Sequence, residues 1–282
     1  MTKYIRRWWL IFLIPTLAAF VIGFIVPFGQ GLYLSFCNFT TIKKVNWVGI
    51  ANYLKAFEDP RFRDAFFFTG SYTIVSTILI NVLAFAIALA LTGKIKGTNG
   101  FRTVFFMPNL IGGIVLGFIW NILIDGILSV VGEPLLALNK DAGFWGLIVL
   151  MCWQQIGYMM IIYIAGLQSI PSSYLEAASI DGASRWQTLW KVKIPNVMPS
   201  ITICMFLTLT NSFKLFDQNL ALTGGDPNHA TDMLALNIYN DFYSGSARFR
   251  GVGQAKAVIF CVLVVAIALI QLRATRSKEV QQ

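Results

Sequence analysis

Five polar residues interrupt two long apolar runs of this 282-residue chain: Gln154, Gln155 and Tyr158 in one, Thr208 and Asn211 in the other. Their amides and hydroxyls donate and accept hydrogen bonds, and Tyr158 adds an aromatic face, so together they could hold a polar solute. Gln154 and Tyr158 are four residues apart, Gln155 and Tyr158 three, and Thr208 and Asn211 three. On helices those spacings set each pair on a shared face. Polar groups are costly in an apolar medium unless they meet a cavity or another helix. Two readings therefore stand: a polar path, or bonds between neighbouring helices.

Other chemistries lack their residues. The four cysteines (Cys37, Cys152, Cys204, Cys261) show no C-x-x-C spacing, and His229 is the single histidine. Neither a metal site nor a disulfide is expected from such a set. No carboxylate pair or nucleophile set suggests a membrane enzyme. The phosphate-binding pattern G-x-x-x-x-G-K-[ST] is missing, because "TGKIKG" (92–97) is too short for it. No Asp or Glu is expected to lie buried inside a span, which disfavours an ion-coupled carrier or channel, the alternative reading. The chain is therefore expected to bind no cofactor and to carry no energy source of its own.

The elements that must position these residues are membrane helices. Hydrophobic residues make up 56% of the chain and charged ones 12%, about half the usual charged share of a soluble domain. A spanning helix needs roughly 20 mostly apolar residues, and six segments qualify: 8–30, 66–92, 103–124, 144–168, 197–220 and 254–272. The expected fold is a single all-α membrane domain over 1–282. The net charge of +9 is scattered between apolar runs rather than gathered into a stripe, so nucleic acid is not an expected partner.

Charge also orients the spans. With the N-terminus inside, the inner segments hold 12 basic and 3 acidic residues, among them Lys3, Arg6, Arg7, Lys94, Arg185, Lys278 and Glu279. The outer segments hold 8 basic and 10 acidic. Positive charge favours the inner side, so both termini are expected there. Lys214 and Lys256, near span ends, are expected to reach the interface with their charged tips. Gly113 and Gly117 form G-x-x-x-G, and Ala84, Ala86, Ala88 and Ala90 crowd the second span, which suits close helix packing. Pro108 would begin or kink the third span.

One polar stretch, "PSSYLEAASIDGASRWQ" (171–187), lies between the fourth and fifth spans. Ser173 with Glu176 and Ser184 with Gln187 both fit the S-x-x-E/Q capping box, which opens a helix. The first helix is expected to start near Tyr174 and the second near Arg185. Gly182 supplies the left-handed position that ends a helix, and Pro195 is expected to end the second one. Two short helices should meet at a glycine elbow. Three basic residues against two acidic ones, tethered at both ends to spans, do not make a DNA-binding helix-turn-helix.

This stretch resembles the EAA loop of permease subunits of binding-protein-dependent ABC importers. Their pattern is E-A-A, three residues, G, nine residues, then I-x-L-P. Here Glu176-Ala177-Ala178 is followed at those spacings by Gly182 and by Val192-Lys193-Ile194-Pro195. "WVGIANYLKAF" (47–57) is similar to the outer-loop segment of carbohydrate permeases. "FDQNLALTGGDPNHATDMLALNIY" (216–239) looks like the stretch after the fifth span in the maltose and glycerol-phosphate type, with Asp226 where a third glycine is usual.

The resemblance implies a permease of the bacterial cytoplasmic membrane that imports a carbohydrate, a di- or oligosaccharide before glycerol-phosphate. It implies a second permease chain as heterodimer partner, two cytoplasmic ATPases that use ATP and Mg, and an extracytoplasmic sugar-binding protein. It assigns the 171–195 loop, with Glu176, Ala177, Ala178, Asp181, Gly182, Ala183 and Pro195, to docking on an ATPase. For Glu176 two roles stand, capping its own helix and facing the ATPase. The corresponding spans four and five line the sugar site in maltose-type permeases, which puts Gln154, Gln155, Tyr158, Thr208 and Asn211 on the path.

Overall fold

Inside a bilayer every backbone N–H and C=O must be satisfied within the protein, so long apolar runs become helices. The computed structural model describes residues 11, 13–41, 44–93, 96–244 and 250–276. Among these, six helices are long and apolar enough to cross a membrane: α1 (Leu13–Ser35), α2 (Pro60–Leu91), α3 (Gly113–Val131), α4 (Lys140–Gln168), α5 (Arg185–Phe213) and α6 (Arg250–Arg273). Of the charges behind the expected orientation, Lys3, Arg6, Arg7, Lys94, Lys278 and Glu279 lie outside the described residues.

The chain forms two compact units, Met1–Pro60 with Ile238–Cys261, and Arg61–Asn237 with Val262–Gln282. In the first, an antiparallel hairpin (β1, Cys37–Thr41; β2, Lys44–Trp47) pairs Cys37 with Trp47 and Phe39 with Val45. Asn52, from the short helix Ala51–Glu58, donates to the carbonyls of Ser35 and Cys37, both at 2.9 Å. Gly251 lies so close that a Cβ there would stand 2.3 Å from the Cys37 carbonyl oxygen. Lys256 does not reach the interface as its place near a helix end suggested. It is fully buried, with Nζ 2.5 Å from Asp59 Oδ2 and in contact with Asp241 Oδ2. Two carboxylates inside the unit replace water around the charge.

In the second unit α4 is the most buried of the six helices. Its Gly157 admits the short helix Thr98–Phe106, where a Cβ would fall 1.8 Å from the Phe105 carbonyl oxygen. Gly166 faces Ser200 of α5 in the same way, at 2.2 Å from Oγ. The G-x-x-x-G pair packs α3 against the short helix Asp217–Leu222, since a Cβ on Gly117 would lie 2.6 Å from the Ala221 Cβ. Ala84 and Ala88 are fully buried. The Tyr163 hydroxyl donates to Asn81 Oδ1 (2.6 Å), and Asn81 Nδ2 donates to Thr208 Oγ1 (2.8 Å), tying α2, α4 and α5 together.

Two spans lie elsewhere than expected. The third does not run over 103–124. The helix Thr98–Phe106 gives way to a tight turn at Met107–Leu110, and α3 starts at Gly113. Pro108 cannot continue the first helix and Gly112 is extended, so the run breaks there. The fifth starts at Arg185 rather than 197 and ends at Phe213 rather than 220. It passes through Pro195 instead of stopping before it, by way of a widened turn at Leu189–Lys193. A proline ring clashes with the carbonyl four residues back in a regular helix, and a wider turn ahead of it relieves that clash.

Candidate functional site

The loop between α4 and α5 folds as two helical pieces around an elbow. Its first helix, Ser172–Ile180, starts two residues earlier than expected, because Pro171 is extended and fills the capping position. Ser173 therefore falls within the first turn, and the Ser173–Glu176 capping box does not form. Glu176 is exposed and has no capping duty. The C-terminus closes as a Schellman motif: Gly182 N–H donates to Ser179 O (3.1 Å) and Ala183 N–H to Ala178 O (2.9 Å). This requires the left-handed φ of +72° that Gly182 adopts.

Ser184 then opens α5 with a complete capping box. Its Oγ accepts from Gln187 N–H (3.3 Å), and its N–H donates to Gln187 Oε1 (2.7 Å). Asp181 and Ala177 are exposed, Ala183 and Pro195 half-buried, and Ala178 buried. Around the elbow Tyr174, Ile180, Trp186 and Trp190 turn large apolar surfaces outward, Ile180 at 86% exposure. Large exposed apolar side chains at these positions, with Glu176, Asp181 and Arg185 exposed in the same stretch, suit a docking site or a membrane contact.

The five polar residues do not all come together. Thr208 and Gln154 are buried and serve neighbouring elements. Thr208 Oγ1 donates to Cys204 O at 2.8 Å while accepting from Asn81. Gln154 donates to Ile111 O (3.2 Å) and accepts from Gln218 Nε2 (2.8 Å). Tyr158 is half-buried, tilted against Phe106 with ring centroids 6.5 Å apart. Gln155 and Asn211 come together on the wall of a cavity of about 340 Å³, shared with Met151, Lys214, Leu215, Phe216, Asp217 and Gln218. That volume is in the range of small-molecule sites, about 300–1,000 Å³. Gln155 Oε1 is buried and accepts no hydrogen bond.

Sequence reasoning missed Lys214, Asp217 and Gln218 as cavity residues, having run the fifth span through them. Lys214 caps α5 instead, and Asp217 and Gln218 open the next short helix. The signal available was Lys214 and Asp217 themselves, two charges three residues apart within an expected apolar span. In the 216–239 stretch, Gly224 and Gly225 are left-handed (φ +59° and +93°), whereas Asp226 is not. A side chain is therefore accommodated where a third glycine is usual. Asn219 donates to Thr231 O (2.8 Å) and accepts from Met233 N–H (3.0 Å), and His229 Nδ1 pairs with Asp232 Oδ2 (3.0 Å).

Residues 80–277 match the family described as the binding-protein-dependent transport system inner membrane component. AmyD of Thermoanaerobacterium thermosulfurigenes, a probable starch degradation products transport system permease protein, is 40% identical over 281 residues, covering 97% of this chain and 96% of that protein. MsmF of Streptococcus mutans serotype c, a multiple sugar-binding transport system permease protein, is 34% identical and covers 99% of each. Among solved structures, a bacterial ABC transporter involved in the import of the acidic polysaccharide alginate has a chain of the same fold, with TM-score 0.82 over 98% of each chain at 21% identity. The chain belongs to the inner-membrane components of binding-protein-dependent transport systems: it is a multi-pass permease subunit of an ABC importer, in a family without ATPase activity.

Proposed function

We propose that this permease moves a di- or oligosaccharide, delivered by an extracytoplasmic binding protein, along the cavity wall formed by Gln155 and Asn211. The sugar-transporting descriptions of AmyD and MsmF support the cargo class. The permease works as one half of a heterodimer over two cytoplasmic ATPases, which hold and hydrolyse ATP with Mg. Both termini and the 171–195 loop face the cytoplasm, a reading supported by the division of charge between the loops. The exposed elbow, with Glu176, Ala177, Asp181 and Gly182 on its surface, docks on an ATPase. Movement there passes to the spans as a rigid-body shift.

The observation that carries this reading is the convergence of Gln155 and Asn211 on one cavity, on the two helices that the elbow joins. Gln155 stands 13 residues before the end of α4, about 20 Å along it at 1.5 Å per residue. Asn211 stands two residues before the far end of α5. A shift at the elbow therefore changes the cavity through two continuous helices.

The test is uptake by Gln155→Met and Asn211→Leu variants in the assembled importer. Uptake of the cargo should fall several-fold, or the pattern of competing sugars should change. ATPase activity stimulated by the loaded binding protein should survive better than transport. If both variants carry every tested sugar like the parent, the path lies elsewhere.

A further inference from the structure

We infer that the cavity selects a neutral oligosaccharide over an anionic one, and that Lys214 and Asp217 set this selection. The inference rests on the proposal that this cavity lies on the sugar path, and adds the charge class of the cargo.

Lys214 and Asp217 line the same wall. Among the described residues neither belongs to an ion pair, with each other or with a third group. Both are exposed. The cavity thus presents one positive and one negative charge, separately placed, and its lining is neutral in sum. A permease built for phosphorylated or uronic cargo would present an excess of cations there. Among the described residues that line this cavity, the single cation is offset by a carboxylate.

Hydrogen-bonding capacity points the same way. Asp217 accepts only, and Gln155 Oε1 at the same wall is a buried acceptor with no donor. Exposed Asp217 calls for a donor from the cargo, and Gln155 Oε1 takes one when its side chain turns toward the cavity. An ionised phosphate or carboxylate has acceptors alone and would add its charge to that of Asp217. A sugar hydroxyl gives a proton to Asp217 or Gln155 and accepts one from Lys214 or the Asn211 amide. Phe216, half-buried at the same wall, supplies apolar surface for the C–H face of a sugar ring.

The experiment uses the complete importer in lipid nanodiscs without its binding protein, so that delivery does not filter the cargo. Saturation-transfer NMR measures binding of maltotriose and of a trigalacturonate, matched in length and differing in charge. The parent should bind maltotriose more tightly than the uronate. Asp217→Asn should lower that preference about tenfold by leaving the cavity positive, the scale of one removed charge repulsion at partly screened distance. Lys214→Gln should raise it.

An unchanged ratio in both variants, with maltotriose still bound, overturns the roles of Lys214 and Asp217 while leaving the path intact. A parent that prefers the uronate overturns the neutral-cargo inference. A parent that binds neither, together with unaltered uptake by the Gln155 and Asn211 variants, removes the cavity from the path altogether.

Discussion

A lysine without solvent contact must find its counter-charges inside the protein. Lys256 finds them in Asp59 and Asp241, which stand before α2 and in the turn Asn240–Ser244. The three groups hold one another, so removing one leaves the others short of a partner. Lys256→Met should destabilise the protein by about 3 kcal/mol, the low end for breaking a buried pair because both carboxylates keep some solvent contact. Adding Asp59→Asn and Asp241→Asn to that variant should recover part of the loss. Thermal unfolding of the detergent-solubilised complex measures both. A Lys256→Met protein as stable as the parent would mean that the buried charge is not held by this pair of aspartates.

At the scale of elements, α5 is the member whose ends matter most, since it begins at the elbow and finishes at the cavity. Its start is secured by the reciprocal Ser184–Gln187 bonds. Replacing Ser184 with alanine should cost about 1 kcal/mol of local stability, seen as roughly fivefold faster amide exchange across 185–188, with the centre of α5 unchanged. Equal exchange in parent and variant would show that packing alone holds that turn. This capping box was legible because its signal is local: two side chains three residues apart meet in any helix that starts there. The Ser173–Glu176 pair has the same spacing and fails, because Pro171 starts the helix two residues sooner. Six membrane helices were legible from apolar length, but the breaks at Met107–Gly112 and after Phe213 were not. Hydropathy continues across the first, which only the backbone limits of Pro108 interrupt; at the second the charges Lys214 and Asp217 stand in the sequence without fixing where the helix ends. The cavity was half legible. Gln155 and Asn211 stood out as polar groups in apolar runs, whereas Lys214, Asp217 and Gln218 come to the same wall only because α5 ends where it does.

For the whole molecule, orientation decides which partner meets which surface. In a chain with its four cysteines replaced, single cysteines at Asn99 and Ser184 should be shielded from an impermeant reagent added outside intact cells. One at Asn228 should be labelled. Labelling of Ser184→Cys from outside would reverse the orientation and take the elbow away from any cytoplasmic ATPase. The coupling role of the elbow itself is met most directly at Gly182, whose φ of +72° lies in open space with no neighbour within 4 Å of an added Cβ. A substitution there disturbs the turn without a clash, through a backbone cost of roughly 1–2 kcal/mol for a β-branched residue. The decisive measurement is ATP-driven sugar uptake by proteoliposomes containing the complete importer with Gly182→Val, beside the amount of ATPase that co-purifies with it. The expected result is a fully inserted protein with uptake reduced at least several-fold and weakened or misdirected ATPase coupling. Uptake and ATPase association both equal to the parent's would contradict the assignment of this loop as the coupling element.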